Sequence, residues 1–387
     1  MEEEDTNELP SLWNGTWDCL IVFLILHVGY MIGTNAFPEM VSIESTSHYI
    51  GKYMPFIFRE LPKYCTLTDW LDIDYVRKQL DSVNYSRCSL CNTLTRQNDS
   101  DSTKRNLILG FAMGHKQYNL ITMARTLRTV SSKATFIIFV DNTMFSSTLS
   151  YSELEELKKC GVILFNIGST IKYRDIPEIT SRFVLFSAFL HKFSSDFDRV
   201  IMADLYDTYF QQDPFCKAFS LTTGFHATAE NVQILSSPPN RQWISQHDPN
   251  FSYEKYRGRK VINGGLQYGD IKSTLTFLES YIDYNFWFNY SRGKMEQAMM
   301  NIMYVEGRLP KCFIPDYDAS IMISATHWYF DREPNKFGMF KTNGVYPVTI
   351  HQYNRITPIR NYLPKLCPPL GNWQKNPFGH HTFTTQY

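Results

Sequence analysis

Arg199-Val200-Ile201-Met202-Ala203-Asp204-Leu205-Tyr206-Asp207-Thr208-Tyr209-Phe210 decides how this chain is read. An apolar strand, Val200 to Ala203, delivers two carboxylates, Asp204 and Asp207, to its C-terminal end. Gln211-Gln212-Asp213-Pro214-Phe215 follows at once. Carboxylates at the mouth of a buried strand are costly unless something compensates their charge. A divalent cation held against a diphosphate is one such compensation, because hard cations take carboxylate oxygens. A turn after a strand, with Asp as a capping residue, is the competing account.

Outward from this stretch the pattern alternates. Upstream, Asn106–Ala112, Ala134–Val140 and Val162–Asn166 read as strands, with helices over Tyr118–Val130, Tyr151–Cys160 and Ser181–Phe193 between them. Strand and helix in alternation predict an α/β fold with a doubly wound, mostly parallel sheet. Ligands of such sheets sit beyond the carboxyl ends of the strands, where Asp204 and Asp207 fall. Downstream, Gly224–Glu230 reads as a strand, and Val261–Gly269 carries Asn263-Gly264-Gly265. Helices are expected over Ile271–Tyr284 and Met295–Val305, and short strands at Cys312–Pro315 and Val348–His351. The chain from Asn361 is expected to be an extended tail.

Composition bounds the partners. Lys+Arg and Asp+Glu are both 38 in 387 residues, so the basic excess of a nucleic-acid binder is absent. The run Cys19–Gly33 is apolar, with Trp13 and Trp17 before it, and reads as a membrane anchor. A cleaved signal peptide and a buried helix are the rival readings; the acidic start Glu2-Glu3-Glu4-Asp5 speaks against a signal peptide. Beyond the run lie the sequons at Asn84, Asn98, Asn250 and Asn289, with another before it at Asn14. Seven cysteines also follow it: Cys65, Cys88, Cys91, Cys160, Cys216, Cys312 and Cys367. Sequons and cysteines together suit a lumenal body, with one thiol left over from pairing. Cys88-Ser-Leu-Cys91 lacks a second ligand pair nearby, so disulfides are expected there rather than zinc. The organisation expected is a tail over 1–16, an anchor over 17–36, a stem over 37–104, a catalytic domain over 105–360 and a tail over 361–387.

The run Asp198–Phe215 resembles the metal-binding Asp motif of GT-A fold glycosyltransferases, in its four-residue Asp-x-x-Asp version followed by Phe-Gln-x-Asp-Pro-Phe. Three more segments are similar to that pattern, in order. Asn263-Gly264-Gly265 resembles the loop facing donor and acceptor, Glu296-Gln297-Ala298 the start of the following helix, and Ile350-His351-Gln352-Tyr353 the late histidine. The chain departs from the pattern in the two residues between its carboxylates and in Glu296, where the family has Asp. The resemblance spans about 106–358. It implies a GT-A-like fold and transfer of a sugar from a nucleotide-sugar donor to a glycan or glycoprotein acceptor, in the Golgi or endoplasmic reticulum. It also implies Mn²⁺ or Mg²⁺ on Asp204, Asp207 and His351; oxygen ligands suit both ions, and Mn²⁺ accepts imidazole as well.

The same resemblance offers Phe111, His115, Asp141, Arg182, Asn263, Gly264 and Gly265 as donor-binding residues, and Glu230 and Glu296 as acceptor-binding groups or general bases. Each has a plainer role: a core Phe, surface His, Arg or Glu residues, an Asp-Asn turn, a tight Gly turn. A catalytically inactive GT-A-like binding module is the alternative for the chain as a whole. A nucleotidyltransferase is disfavoured, because no Gly-rich, Lys-bearing phosphate loop follows the first strand.

Overall fold

Asn106–Ala112 forms strand β1, buried along its whole length, and its side chains alternate between two apolar cores. Leu107, Leu109 and Phe111 enter one; Ile108 and Ala112 enter the other. A strand covered on both faces reads as a continuous apolar run for this reason. The computed structural model describes residues 58–60, 73–92, 94, 101–112, 120–140, 151–167, 169–170, 182–220, 223–287, 295–318 and 321–368. The elements used below are, in addition to β1, helix α1 (Ile73–Ser82), α2 (Leu120–Thr129), β2 (Thr135–Val140), α3 (Tyr151–Lys159), β3 (Val162–Asn166), α4 (Arg182–Phe193), β4 (Arg199–Ala203) and β5 (Thr208–Phe210). There follow β6 (Phe225–Gln233), α5 (Pro238–His247), β7 (Lys260–Asp270), α6 (Ile271–Ile282), α7 (Glu296–Val305), β8 (Phe313–Asp316), β9 (Met322–Ser324), β10 (Thr349–His351) and α8 (Thr357–Leu366).

Seven strands form one sheet in the order β8-β6-β7-β4-β1-β2-β3. Neighbours are parallel except at β7, which runs antiparallel to both β4 and β6. The α/β class and the mostly parallel sheet expected from the alternation are thus present. The chain winds outward from β1 through β2 to β3, then returns to place β4 on the other side of β1. The strand order reverses there, and Asp204 lies just past the carboxyl end of β4, at the crevice that such a reversal opens. One face is covered by the aromatic helix α4 with α6 and α7; Phe183, Phe186, Phe189 and Phe193 supply its bulk. The other face carries α2, α8 and a small sheet, β9-β10-β5.

Three sequence expectations need correcting. Asn263-Gly264-Gly265 is not a loop but lies inside the long strand β7. The chain from Asn361 does not begin as an extended tail: α8 continues to Leu366, and Cys367 is disulfide-bonded to Cys91. The disulfides expected at Cys88 and Cys91 are present, as Cys88–Cys160 and Cys91–Cys367, but among the described residues two thiols, Cys216 and Cys312, are free where one was expected. Part of the expected stem, 73–92, packs on the domain: Val76 is fully buried, and Arg125 donates to the carbonyls of Ser89, Leu90 and Pro368. The expected anchor, 17–36, lies outside the described residues; among those described, no helix is long and apolar enough to cross a membrane.

Beyond α5, the buried Asp248 carboxylate accepts from Lys255 Nζ at 2.7 Å, Tyr256 Oη at 2.5 Å and the Asn250 N–H at 2.8 Å. Lys255 also donates to Glu306, 2.9 Å away. Burial alone would raise Asp248, but these hydrogen bonds hold it below its ordinary range; Glu306 is lowered by Lys255 and Arg308 against the same opposition. Carboxylates depressed in the folded state stabilise fully above their unfolded value, about 4, and lose that contribution as pH falls through the folded value. Lys255, raised by the same partners against burial, loses its share only above about pH 10. Lys255→Met is therefore expected to flatten the loss of stability between roughly pH 5 and pH 3, read as urea midpoints. Identical acid slopes in the two proteins would show that other groups titrate.

Candidate metal centre

Two sheets meet at the Asp204–Asp207 bend. The Asp204 N–H donates to the Gly265 carbonyl at 2.7 Å, which ties the end of β4 to β7. Leu205 turns fully inward onto Gly110 of β1, so closely that a Cβ at 110 would overlap it. Thr208 then pairs with His351 across β5 and β10. Two residues separate the carboxylates because Leu205 fills the core while the chain changes sheet. The result sets Asp204, Asp207 and His351 with ligand atoms all within 4.8 Å of one another.

His351 is fixed in a defined tautomer. Thr228 Oγ1 donates to the Leu266 carbonyl at 3.1 Å, so it must accept the Ser324 hydroxyl, 2.7 Å away. Ser324 Oγ, its proton spent, accepts from His351 Nδ1 at 3.2 Å. Nδ1 therefore carries the proton, and Nε2 faces the carboxylates. Nε2 is buried without a hydrogen-bond partner, 3.2 Å from Asp207 Oδ1 and 3.5 Å from Asp204 Oδ2. Burial opposes charge on the ring, yet Asp207 and Asp204 push His351 up to about 9. A second proton or a cation would separate these groups. Two carboxylate oxygens and one imidazole nitrogen converging from a rigid frame make a fitting donor set for a divalent ion.

Arg182, the first residue of α4, stands behind the triad. It donates to Asp204 Oδ1 at 2.5 Å, to Glu296 Oε1 at 2.5 Å and to the Gly264 carbonyl at 2.9 Å. Burial would raise Asp204, but Arg182 and His351 hold it well below the usual carboxylate range. Asp204 thus spends Oδ1 on Arg182 and keeps Oδ2 for the triad. Burial pushes Glu296 up to about 8 against the pull of Arg182, and its Oε2 has no hydrogen-bond partner. Glu296 opens α7, where a carboxylate also meets the positive end of the helix.

The glycines of β7 leave the triad its space. An added Cβ at Gly265 would overlap Asp204 Oδ2 and sit 2.6 Å from His351 Nε2. Neither Gly264 nor Gly265 has a positive φ, so room rather than backbone geometry demands them. Amides brace this segment. Asn263 donates to Glu230 at 2.9 Å and accepts the Gly265 N–H at 2.8 Å; Gln297 accepts the Gly264 N–H at 3.0 Å and donates to Asn240 at 2.7 Å.

The structure thus brings together Asp204, Asp207, His351, Arg182, Gly264, Gly265 and Glu296, and places Asn263 and Glu230 one layer behind them. Phe111 belongs to the apolar core under α4. His115 and Asp141 lie outside the described residues. The tail of the motif is architectural: Gln211 donates to the carbonyls of Phe340 and Pro347, and Asp213 accepts the Phe215 and Ser102 N–H groups. Ser324 and Thr228 escaped sequence reasoning. A lone Ser in Met322-Ile323-Ser324 carries no signal until β9 pairs with β10 in the register Ser324 to His351. No protein-family model matches this chain, and no curated protein matches it.

Proposed function

We propose that this chain is a metal-dependent, GT-A-like glycosyltransferase that moves a sugar from a nucleotide-sugar donor to a glycan or glycoprotein acceptor. The observation that carries the reading is the triad of Asp204, Asp207 and His351 at the strand-order reversal, kept open by Gly265 and supplied with an oriented imidazole. In this reading those three residues hold Mn²⁺ or Mg²⁺, which supplies charge neutralisation for a departing diphosphate. Arg182 keeps Asp204 ionised and aimed. The crevice between β1 and β4 receives the nucleotide, as doubly wound sheets do. Gly264 and Gly265 let the donor approach the backbone of β7. Glu296, buried with one carboxylate oxygen unpartnered, is read as the group that binds the acceptor or serves as general base. The apolar run at 17–36 is read as the anchor of a single-pass protein of the Golgi or endoplasmic reticulum, with this domain in the lumen.

Asp204→Ala and Asp207→Ala, made separately, are each expected to lower Mn²⁺-dependent release of nucleotide from UDP- and GDP-sugars. The fall should exceed the roughly 10–100-fold typical of losing an outer-shell partner. Full activity in both variants would sink the assignment. A wild-type protein stabilised by Mn²⁺ and donor but without turnover would instead be the inactive binding module.

A further inference from the structure

Two Asn-x-Ser triplets lie among the described residues, Asn84-Tyr85-Ser86 and Asn250-Phe251-Ser252, and they are built alike. In each the middle residue is an aromatic turned inward. Tyr85 lies beneath the Arg128 guanidinium, 4.3 Å from its ring centre, and Phe251 stacks on the buried Tyr256 at 5.3 Å. An inward middle residue turns its neighbours out, and Asn84, Ser86, Asn250 and Ser252 are all exposed. Each asparagine sits in an Asx turn: Asn84 Oδ1 accepts the Ser86 N–H at 2.9 Å, and the Asn250 N–H is held by Asp248 Oδ1 at 2.8 Å. Neither side-chain amide nitrogen donates to another described residue.

The cysteines supply a second, independent observation. Cys88–Cys160 and Cys91–Cys367 are bonded, and disulfides of this kind persist in oxidising compartments, where sequons are also read. We infer that Asn84 and Asn250 are N-glycosylation sites. The donor class is an oligosaccharide on a lipid diphosphate, and the transfer is made by the host's own enzyme. The Asn Nδ2–C1 bond forms as the C1–O bond to the diphosphate breaks; the lipid diphosphate leaves, and Nδ2 gives up one proton. The aromatic anchors hold the attachment points on the surface, so the folded domain accommodates both glycans without repacking. This inference is independent of the catalytic reading.

The test is expression of the full chain through a secretory pathway, followed by enzymatic deglycosylation in heavy-oxygen water and peptide mapping. The expected result is the isotopic Asn-to-Asp tag at both Asn84 and Asn250. Ser86→Ala and Ser252→Ala should each remove one glycan's mobility step, while Ser86→Thr and Ser252→Thr keep it. Ser86→Ala spares the local turn, because that turn uses the backbone N–H of Ser86. Untagged Asn84 and Asn250 would overturn the inference, whether the protein is recovered disulfide-bonded or with free thiols.

Discussion

Arg182→Leu is expected to destabilise the domain by roughly 1–3 kcal/mol, the range for leaving buried hydrogen-bonding groups unpaired. The Arg182 side chain is 6% exposed and joins Asp204 to Glu296, whose side chains are 32% and 10% exposed. Water can reach Asp204 and soften its loss, and Glu296, already pushed up to about 8 by burial, takes up a proton instead of standing as a lone buried charge. A double-mutant cycle separates the two. Arg182→Leu with Glu296→Leu removes a buried carboxyl group along with its partner, and should recover much of the stability, since apolar replacement of a whole buried pair is often neutral. Arg182→Lys should recover less than its charge suggests: a single ammonium cannot span two carboxylates and the Gly264 carbonyl as the guanidinium fork does. Urea unfolding reads all three. A loss below about 1 kcal/mol for Arg182→Leu would mean that the carboxylates find other partners, and the account of Arg182 as the bracket of the site would fail.

The legible half of this fold is the half that alternates. β1 to β4 and the helices between them announce themselves because each strand is short, apolar and closed by a polar turn, and Gly161, in the left-handed region, ends α3 where expected. β7 was harder. Glycines punctuate loops far more often than they lie in strands, yet here Gly264 and Gly265 are extended and serve by their lack of a side chain. α8 was hidden by its prolines: one stands at the helix start, where a missing N–H costs nothing, and Pro364 lies near its end. Of the site, the carboxylates and the imidazole stood out by residue type. Ser324 and Thr228 did not, because their role depends on register between distant strands, and no local pattern encodes that.

Gly265→Ala is expected to abolish the response to metal while leaving a folded domain. The added methyl would enter the space between Asp204 and His351, where neither neighbour can move freely. Asp204 Oδ1 is pinned by Arg182, and His351 Nδ1 by Ser324. Relief requires breaking one of those bonds or shifting β7, at a cost of about 1–3 kcal/mol for overpacking. Either way the triad loses its common focus. Gly264→Ala is the matched control: its Cβ would meet Glu296 Oε1 at 3.0 Å and Gln297 Cβ at 3.4 Å, a tight fit beside the triad rather than within it. Thermal unfolding with and without Mn²⁺ distinguishes the two, because stabilisation by a ligand follows RT ln(1 + [L]/Kd). Gly264→Ala should keep most of the Mn²⁺-dependent rise in Tm and Gly265→Ala should show none, with at least about a 10²-fold loss of metal-dependent donor turnover. A Gly265→Ala protein that still gains stability from Mn²⁺ would place the ion elsewhere. The glycine would then be explained by strand packing alone, and the triad would be reduced to an imidazolium held between two carboxylates.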